Sequence, residues 1–446
     1  MSSNKNRVYT AHQFMHGPMK EFSIADNKRS IPSLLDGLKV SQRKAIWGMM
    51  IRGENAPEIQ IERVSAAIAA TTDYHHGTTS MESTIIAMAN NYPGSNNLNV
   101  FIPSGQFGSR LEKSSSSPRY IFTRFSPNFR KIFKKDDDII LQNILSEGDK
   151  IEPKYFLPIL PFMLINGAEG TGTGHACKIL SYNPEDLRDY TINYLSGKKT
   201  KNLLPWFNGF KGDVERNADT NQIAMTGKFE IINTTTIKVS ELPIGTFQDQ
   251  YKDHLHKIID SDFIKDFDDL STEDSFDFII SAPRSTTALD KSVLMQKLKL
   301  ISRDTENYTL WNEEGKLEKF ENVDSIMERF IGWRLDRYED RRKKLIELVS
   351  EDSRFASEKA RFIEFYLSNT SKFKTSTRQD ALKLLSSKKF TDNDIPKLMA
   401  MSIWTLTGDE ISKLMNEIEK LEEQLNSLNE DTNRGMYLRE LKELKF

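Results

Sequence analysis

Tyr120 closes the segment Ser114-Ser115-Ser116-Ser117-Pro118-Arg119-Tyr120, and a phenol on a loop of small residues is a candidate nucleophile. At its ordinary pKa of about 10 a phenol attacks poorly unless a cation or a base assists it. Arg119 cannot accept a proton, but its guanidinium can hold phosphate oxygens bidentately. The serines and a proline of fixed φ let such a loop come close to a polyanion backbone. Arg-Tyr pairs also occur at ordinary surface and core positions, so other residues must decide. His75-His76-Gly77 is a second cluster. It has no third ligand at a metal-binding spacing, so we assign no metal site. Hydrogen-bond donation to phosphate at the start of a following helix suits it better, because the dipole and free N–H groups favour anions there. Arg29, Lys39, Arg43 and Lys44 supply further cations.

Two segments resemble other sites and are set aside. Gly170-Thr171-Gly172-Thr173-Gly174 lacks the Gly-Lys-Ser/Thr ending of a phosphate-binding P-loop. Close backbone approach or a tight turn explains such glycines. Glu147-Gly148-Asp149 has no Asp-x-Asp pair at the spacing of a Toprim metal site, and Asp136-Asp137-Asp138 reads as a solvated charge run.

Presenting these residues requires a folded head. Residues 31–92 show three short helical patterns: 41–50, an Ala/Ile-rich stretch over 61–72, and a third opening at a capping box, Thr79 with Glu82. An Asn/Gly/Pro loop over 90–99 leads to a β-like stretch through Phe101 and Phe107, bounded by Gly105 and Gly108. Three helices and a β-ribbon resemble a winged helix, which puts a helix in a DNA groove. Many three-helix clusters bind nothing. Residues 151–320 read as mixed α/β, with strands expected over 155–165, 227–232 and 235–242. A long amphipathic helix is expected over 323–349. A second starts at the capping box Thr407/Glu410 and carries a heptad seam at Leu414, Ile418, Leu421, Leu425 and Leu428. The two predict an antiparallel coiled-coil arm. In the insert at 355–404, Met399, Met401, Ile403 and Trp404 form either the tip's own core or a contact with a second copy.

The 446 residues have room for roughly two to four domains. Composition is 38% hydrophobic and 28% charged, without an apolar run long enough for a membrane span. The polar first seven residues lack a signal-peptide core, and the single cysteine, Cys177, excludes an internal disulfide and any cysteine-based metal cluster. A cytoplasmic location is expected. The formal net charge of -2 hides a split. Residues 1–135 hold 18 Lys/Arg against 9 Asp/Glu, and the rest 44 against 55. A basic head on an acidic body suits a polyanion ligand, although chance also produces such splits.

Several motifs, taken in order, resemble one family. They are 30–44 (Ser-Ile-Pro-Ser-Leu-Leu-Asp-Gly-Leu-Lys-Val-Ser-Gln-Arg-Lys), 73–77 (Asp-Tyr-His-His-Gly), 94–98 (Gly-Ser-Asn-Asn-Leu), 105–108 (Gly-Gln-Phe-Gly) and 117–123 (Ser-Pro-Arg-Tyr-Ile-Phe-Thr). Residues 166–174, 205–207 (Pro-Trp-Phe) and 402–406 (Ser-Ile-Trp-Thr-Leu) continue the series. Together they resemble the breakage-reunion region of type IIA DNA topoisomerases over about residues 25–430, nearer in wording to the eukaryotic enzymes than to gyrase A. A chain holding this part alone resembles the separate medium subunit of T-even-type bacteriophage enzymes, which would place it in a host cytoplasm.

The resemblance implies an α+β, helix-rich multidomain fold. Its parts would be a winged-helix head at 1–145, an α/β tower at 146–320 and a coiled-coil arm at 321–446 with a dimerisation tip near 368–406. It implies that Tyr120 attacks a DNA phosphate to give a 5′-phosphotyrosyl link, with Arg119 stabilising the charge. Arg29, Lys39, Arg43, Lys44, His75 and His76 would grip phosphates. Two copies would open a gate in double-stranded DNA. Mg²⁺ and ATP would be held by partner subunits carrying Toprim and ATPase functions. Thr171 falls where the family usually carries an isoleucine wedge, so its wedging of base pairs should be weaker. A non-catalytic DNA-binding subunit with the same fold is the alternative. A tyrosine recombinase or relaxase would need an arginine/histidine constellation or a His-rich metal site in another order.

Overall fold

The computed structural model describes residues 9–273, 275–402 and 405–446. The chain divides into two compact units, Met1–Arg334 with Leu441–Phe446, and Leu335–Glu440.

The first unit begins with helices α1 (Ala11–His16) and α2 (Pro18–Ser30). Three mutually packed helices follow: α3 (Val40–Arg52), α4 (Ile61–Thr71) and α5 (Thr78–Ala89). α4 buries Ile61, Val64, Ser65 and Ile68, the single face expected of an amphipathic helix. Gly48 lies inside α3 because a Cβ there would sit 2.5 Å from Ile68 Cγ1. The expected capping box at Thr79 does not form. α5 starts earlier, with Gly77 at its N-cap at φ 81, so Thr79 and Glu82 already lie within the helix. Glu82 instead faces the Ser65 hydroxyl at 3.4 Å.

The expected ribbon is short: β1 (Ile59–Gln60) pairs with β2 (Phe122–Thr123), flanked by bridges Phe101–Phe125 and Ser104–Phe122. Behind it Phe101, Phe125, Phe129 and Phe133 form a column with centroid separations of 5.5, 4.4 and 5.3 Å. The strand expected over 155–165 is absent. That run is buried on all sides and ends in a short helix, Phe162–Ile165. Pro158 and Pro161 remove ladder donors, so its apolarity signals burial and not pairing.

β3 (Asn143–Ser146) and β4 (Asp149–Pro153) form a hairpin through Glu147 and Gly148, both at positive φ (50 and 98). This is the geometry of a tight two-residue turn. Asp136-Asp137-Asp138 is not a solvated run. Asp137 is buried and pairs with Arg334 at 2.5 Å, and Asp138 pairs with Arg130 at 2.7 Å. β5 (Ala168–Gly172) and β6 (His175–Ile179) form a hairpin against α2. A Cβ on Gly170 would stand 2.0 Å from the Ser30 carbonyl oxygen, which accounts for that glycine.

Further strands are β7 (Asp213–Arg216), β8 (Ile223–Thr226), β9 (Lys228–Asn233), β10 (Thr236–Glu241), β11 (Asp266–Asp269), β12 (Phe278–Ser281) and β13 (Ile301–Asp304). They build antiparallel sheets of order β11-β12-β10-β9 and β13-β8-β7. β9 and β10 match the expected strands within a residue or two. Ile237, Val239, Phe278 and Ile280 of the larger sheet share a core with Tyr251 and Leu255 of the helix Gln248–Asp260.

The long helix runs Val323–Ser368, well past the expected residue 349. In the second unit its Ala356, Ala360 and Ile363 pack against Leu414 and Ile418 of the helix Gly408–Glu430. Arg342 donates to the Leu428 carbonyl at 3.1 Å, so the two helices run antiparallel. Thr407 caps the second helix, accepting from the Glu410 N–H at 3.4 Å. Leu421, Leu425 and Leu428 are half-buried, as the heptad seam requires. The insert is shorter than expected because the long helix persists, leaving helices Thr370–Thr375, Arg378–Ser387 and Ile395–Met399. Met399 and Met401 pack on the tip's own core of Phe362, Leu385, Phe390, Ile395 and Leu398. Ile403 and Trp404 lie outside the described residues. Among the described residues no helix is long and apolar enough to cross a membrane.

Gly170→Ala is expected to cost about 1–3 kcal/mol through overpacking against Ser30. Gly332→Ala, in the long helix with nothing within 4 Å, should be neutral or stabilising by up to about 1 kcal/mol. Thermal midpoints of the two variants check both.

Candidate functional site

Tyr120 is 71% exposed, yet the backbone around it is tied down. Ile61 N–H, at the start of α4, donates to the Ile121 carbonyl at 3.1 Å, and Glu62 N–H donates to that of Pro118 at 3.3 Å. The Gln60 side-chain amide donates to the Arg119 carbonyl. Tyr120 N–H closes a turn onto the Ser117 carbonyl at 2.9 Å, and Ile121 is buried behind it. The result is a held loop with exposed Arg119 and Tyr120 side chains.

A cleft of about 700 Å³ opens among α2, the start of α3, the 73–76 loop and α5. It gathers five of the expected residues: Arg29, Lys39, Lys44, His75 and His76. Arg119, Tyr120, Arg43 and Thr171 are not among its walls. Arg29 is exposed and paired with Asp26 at 2.8 Å. The Thr173 hydroxyl, opposed by desolvation and aided by Arg29, holds the Asp26 carboxyl below its usual range. Burial lowers the Lys39 ammonium below the ordinary lysine value, while Cys177 and Glu169 act in the opposite sense. His75 is exposed, its Nε2 2.9 Å from Asp73 Oδ1, and exposed His76 meets Tyr74 edge-on at 5.5 Å. No side chain caps the start of α5, so its first N–H groups can face an anion.

Two of the residues expected at phosphates, Arg43 and Lys44, are engaged in ion pairs within the protein. Arg43 grips the fully buried Asp36 carboxylate at 2.6 and 3.0 Å and the Leu38 carbonyl at 2.9 Å. Asp36 also accepts from Phe156 N–H at 3.0 Å, which ties α3 to the core. Lys44 is buried, and its ammonium donates to Glu152 at 2.9 Å and to the Thr72 carbonyl. It forms part of the wall and is not a free cation. Thr171 is exposed on β5 opposite Ala176.

Lys28, Tyr74, Ser80 and Thr84 also line the cleft and were not anticipated. Burial raises the Tyr74 phenol above its ordinary pKa, against a Ser80 hydrogen bond and the Arg29 charge. Its place beside His75 was the available signal. Gln60 offered none, since its partner lies 59 residues away. Among the described residues no group of three His, Cys, Asp or Glu could hold a metal ion.

Residues 29–443 match the DNA gyrase/topoisomerase IV family, in the part that forms the A-type subunits of those enzymes. The chain belongs to that family. It is 33% identical to DNA topoisomerase 2, mitochondrial, of Dictyostelium discoideum, across 98% of this chain and 35% of the relative. It is 35% identical to DNA topoisomerase 2 of Arabidopsis thaliana, across 86% of this chain and 26% of the relative. The crystal structure of the Plasmodium falciparum topoisomerase II DNA-binding, cleavage and re-ligation domain matches with a TM-score of 0.91 at 30% identity, covering 99% of this chain and 65% of that one. The chain thus spans about a third or less of the length of these two curated relatives. The matched span includes the Tyr120 loop, α5 and the β5–β6 hairpin.

Lys44→Ala would leave the buried Glu152 unpaired, so a loss of about 3–5 kcal/mol is expected in denaturant unfolding. Arg29→Ala, at an exposed pair, should stay within about 0.5 kcal/mol.

Proposed function

We propose that this chain breaks and reseals double-stranded DNA as part of an ATP-dependent type II topoisomerase. The Tyr120 oxygen attacks a backbone phosphorus and loses its proton. The bond to the 3′-oxygen breaks, and that oxygen takes up a proton. A 5′-phosphotyrosyl link and a free 3′-hydroxyl result. One phosphodiester replaces another, so breakage needs no ATP, and resealing is the reverse. The observation that carries this reading is the exposed Tyr120 beside Arg119 on a loop whose carbonyls are held by Gln60, Ile61 and Glu62. The guanidinium of Arg119 can stabilise charge growing on the phosphate.

Arg29, Lys39, His75 and His76 grip phosphates in the cleft, joined by Lys28. Residues 1–145 form the DNA-facing head, 146–320 the tower and 321–446 the arm. Two copies, each cutting one strand, open a gate for a second duplex, and the arm tip near 368–406 makes a second contact between them. Relaxation and decatenation follow, in the cytoplasm. We place Mg²⁺ and ATP on partner subunits with Toprim and ATPase functions. The residues of this chain do not fit either group: no three-ligand cluster is present among the described residues, and the Gly170–Gly174 run is a hairpin packed on α2 and not a phosphate loop.

The test uses the enzyme with its partners, end-labelled duplex DNA and Mg²⁺, stopped with detergent. Tyr120→Phe should abolish the covalent adduct while DNA affinity stays within about twofold, since phosphate contacts carry binding. DNA bound by the wild type with no adduct at Tyr120 would favour the architectural alternative. Thr171→Ile should bend DNA more strongly by inserting a larger apolar wedge. An unchanged bend in fluorescence energy transfer would count against that role.

A further inference from the structure

The loop preceding the Tyr120 segment reaches into the core of the four-stranded sheet through one buried ion pair. Arg110 is 7% exposed. Its guanidinium donates to Glu241 Oε1 at 2.5 Å and to the carbonyls of Leu242 and Pro243 at 2.7 and 3.1 Å. It lies 4.6 Å from the centroid of the Phe276 ring, and its own carbonyl accepts from Gln248 N–H at 3.0 Å. Glu241, at the end of β10, is equally enclosed and also accepts from Leu242 and Lys211 N–H at 3.0 and 3.1 Å. The adjacent Leu111 packs against the sheet's core. Residues 110–111 are therefore a plug from the loop into that core.

The loop's neck is closed as well. Ser116 N–H donates to the Gln106 carbonyl at 2.9 Å, and Gly108, at φ 112, lets the Lys113 carbonyl lie where a Cβ would be only 2.7 Å away. Chain direction then runs from Ser116 straight into Ser117-Pro118-Arg119-Tyr120. The plug and the nucleophile are joined by a short, constrained path. A buried ion pair adds little net stability compared with apolar residues of the same shape, but it is directional. Three hydrogen bonds from Arg110 define one register of the loop against the sheet, and two more, from Lys211 and Leu242 N–H, hold the Glu241 carboxylate in place.

We propose that Arg110 and Glu241 are positioning residues, holding the root of the Tyr120 loop so that the phenol meets the phosphorus in line. The proposal rests on the reading of Tyr120 as nucleophile. It is tested in the complete enzyme with its partner subunits, on end-labelled duplex DNA. The variant is Arg110→Met with Glu241→Leu, which removes both charges and orphans neither. DNA affinity should stay within about twofold, while adduct formation at Tyr120 slows on the order of 10- to 100-fold, the cost of ångström-scale misplacement. Arg110→Lys keeps the charge but not the fork, and should recover part of the rate.

Arg216→Met breaks another ion pair of the same unit, half-buried Arg216 with Glu306 at 3.0 Å, and serves as the control. It should lower the thermal midpoint and leave the adduct rate unchanged. A wild-type adduct rate in the double variant overturns the proposal. So does a rate loss that the control reproduces at an equal drop in midpoint. Absence of any Tyr120 adduct in the wild type defeats the nucleophile reading itself, and this proposal with it, before the variants are compared.

Discussion

An α-helix leaves its first N–H groups without intrahelical partners, and the placement of Tyr120 depends on how α4 resolves this. Ile61 and Glu62 donate to the carbonyls of Ile121 and Pro118, on either side of the Arg119-Tyr120 pair. The helix gains acceptors, and the loop gains a fixed backbone without covering its side chains. An exposed side chain on a free loop would have to be ordered each time it met a ligand. Here the backbone of the Arg119-Tyr120 loop is ordered in folding, since α4 is itself locked by Ile61, Val64 and Ile68 against its neighbours.

Charge in the head divides between structure and surface. Residues 1–135 have twice as many cations as anions, but four of those cations are committed to buried or half-buried ion pairs. Arg43 serves Asp36, Lys44 serves Glu152, Arg130 serves Glu54 and Asp138, and Arg110 serves Glu241. Most of these buried or half-buried contacts join segments far apart in sequence. Of the cations lining the cleft, Lys28 and Arg29 sit on α2, which carries little buried surface of its own. Its position comes from the glycine hairpin, where Gly170 and Gly172 allow backbone approach that any side chain would prevent.

Much was legible in the sequence because it depends on local rules. The heptad seam of the arm, the Thr407 cap, β9, β10 and the helices α3 and α4 follow from periodicity and capping chemistry. Local rules misled where burial was complete. The 155–165 run looked like a strand because apolar residues on all sides hide the period that separates strand from coil. The Thr79/Glu82 spacing satisfied a capping pattern inside a helix that Gly77 had already begun.

By itself the sequence determined the family motifs, the helical arm, the Arg119-Tyr120 pair on a serine-rich segment and the contrast between a basic first third and an acidic remainder. Only the tertiary structure decided which cations are free. An arginine or lysine reads identically whether it faces solvent or a carboxylate more than a hundred residues away, as Lys44 and Glu152 do. It also decided that Arg110, unremarkable in sequence, ties the loop before the Tyr120 segment to the four-stranded sheet. Burial and long-range pairing are properties of the packed chain, and no local pattern encodes them.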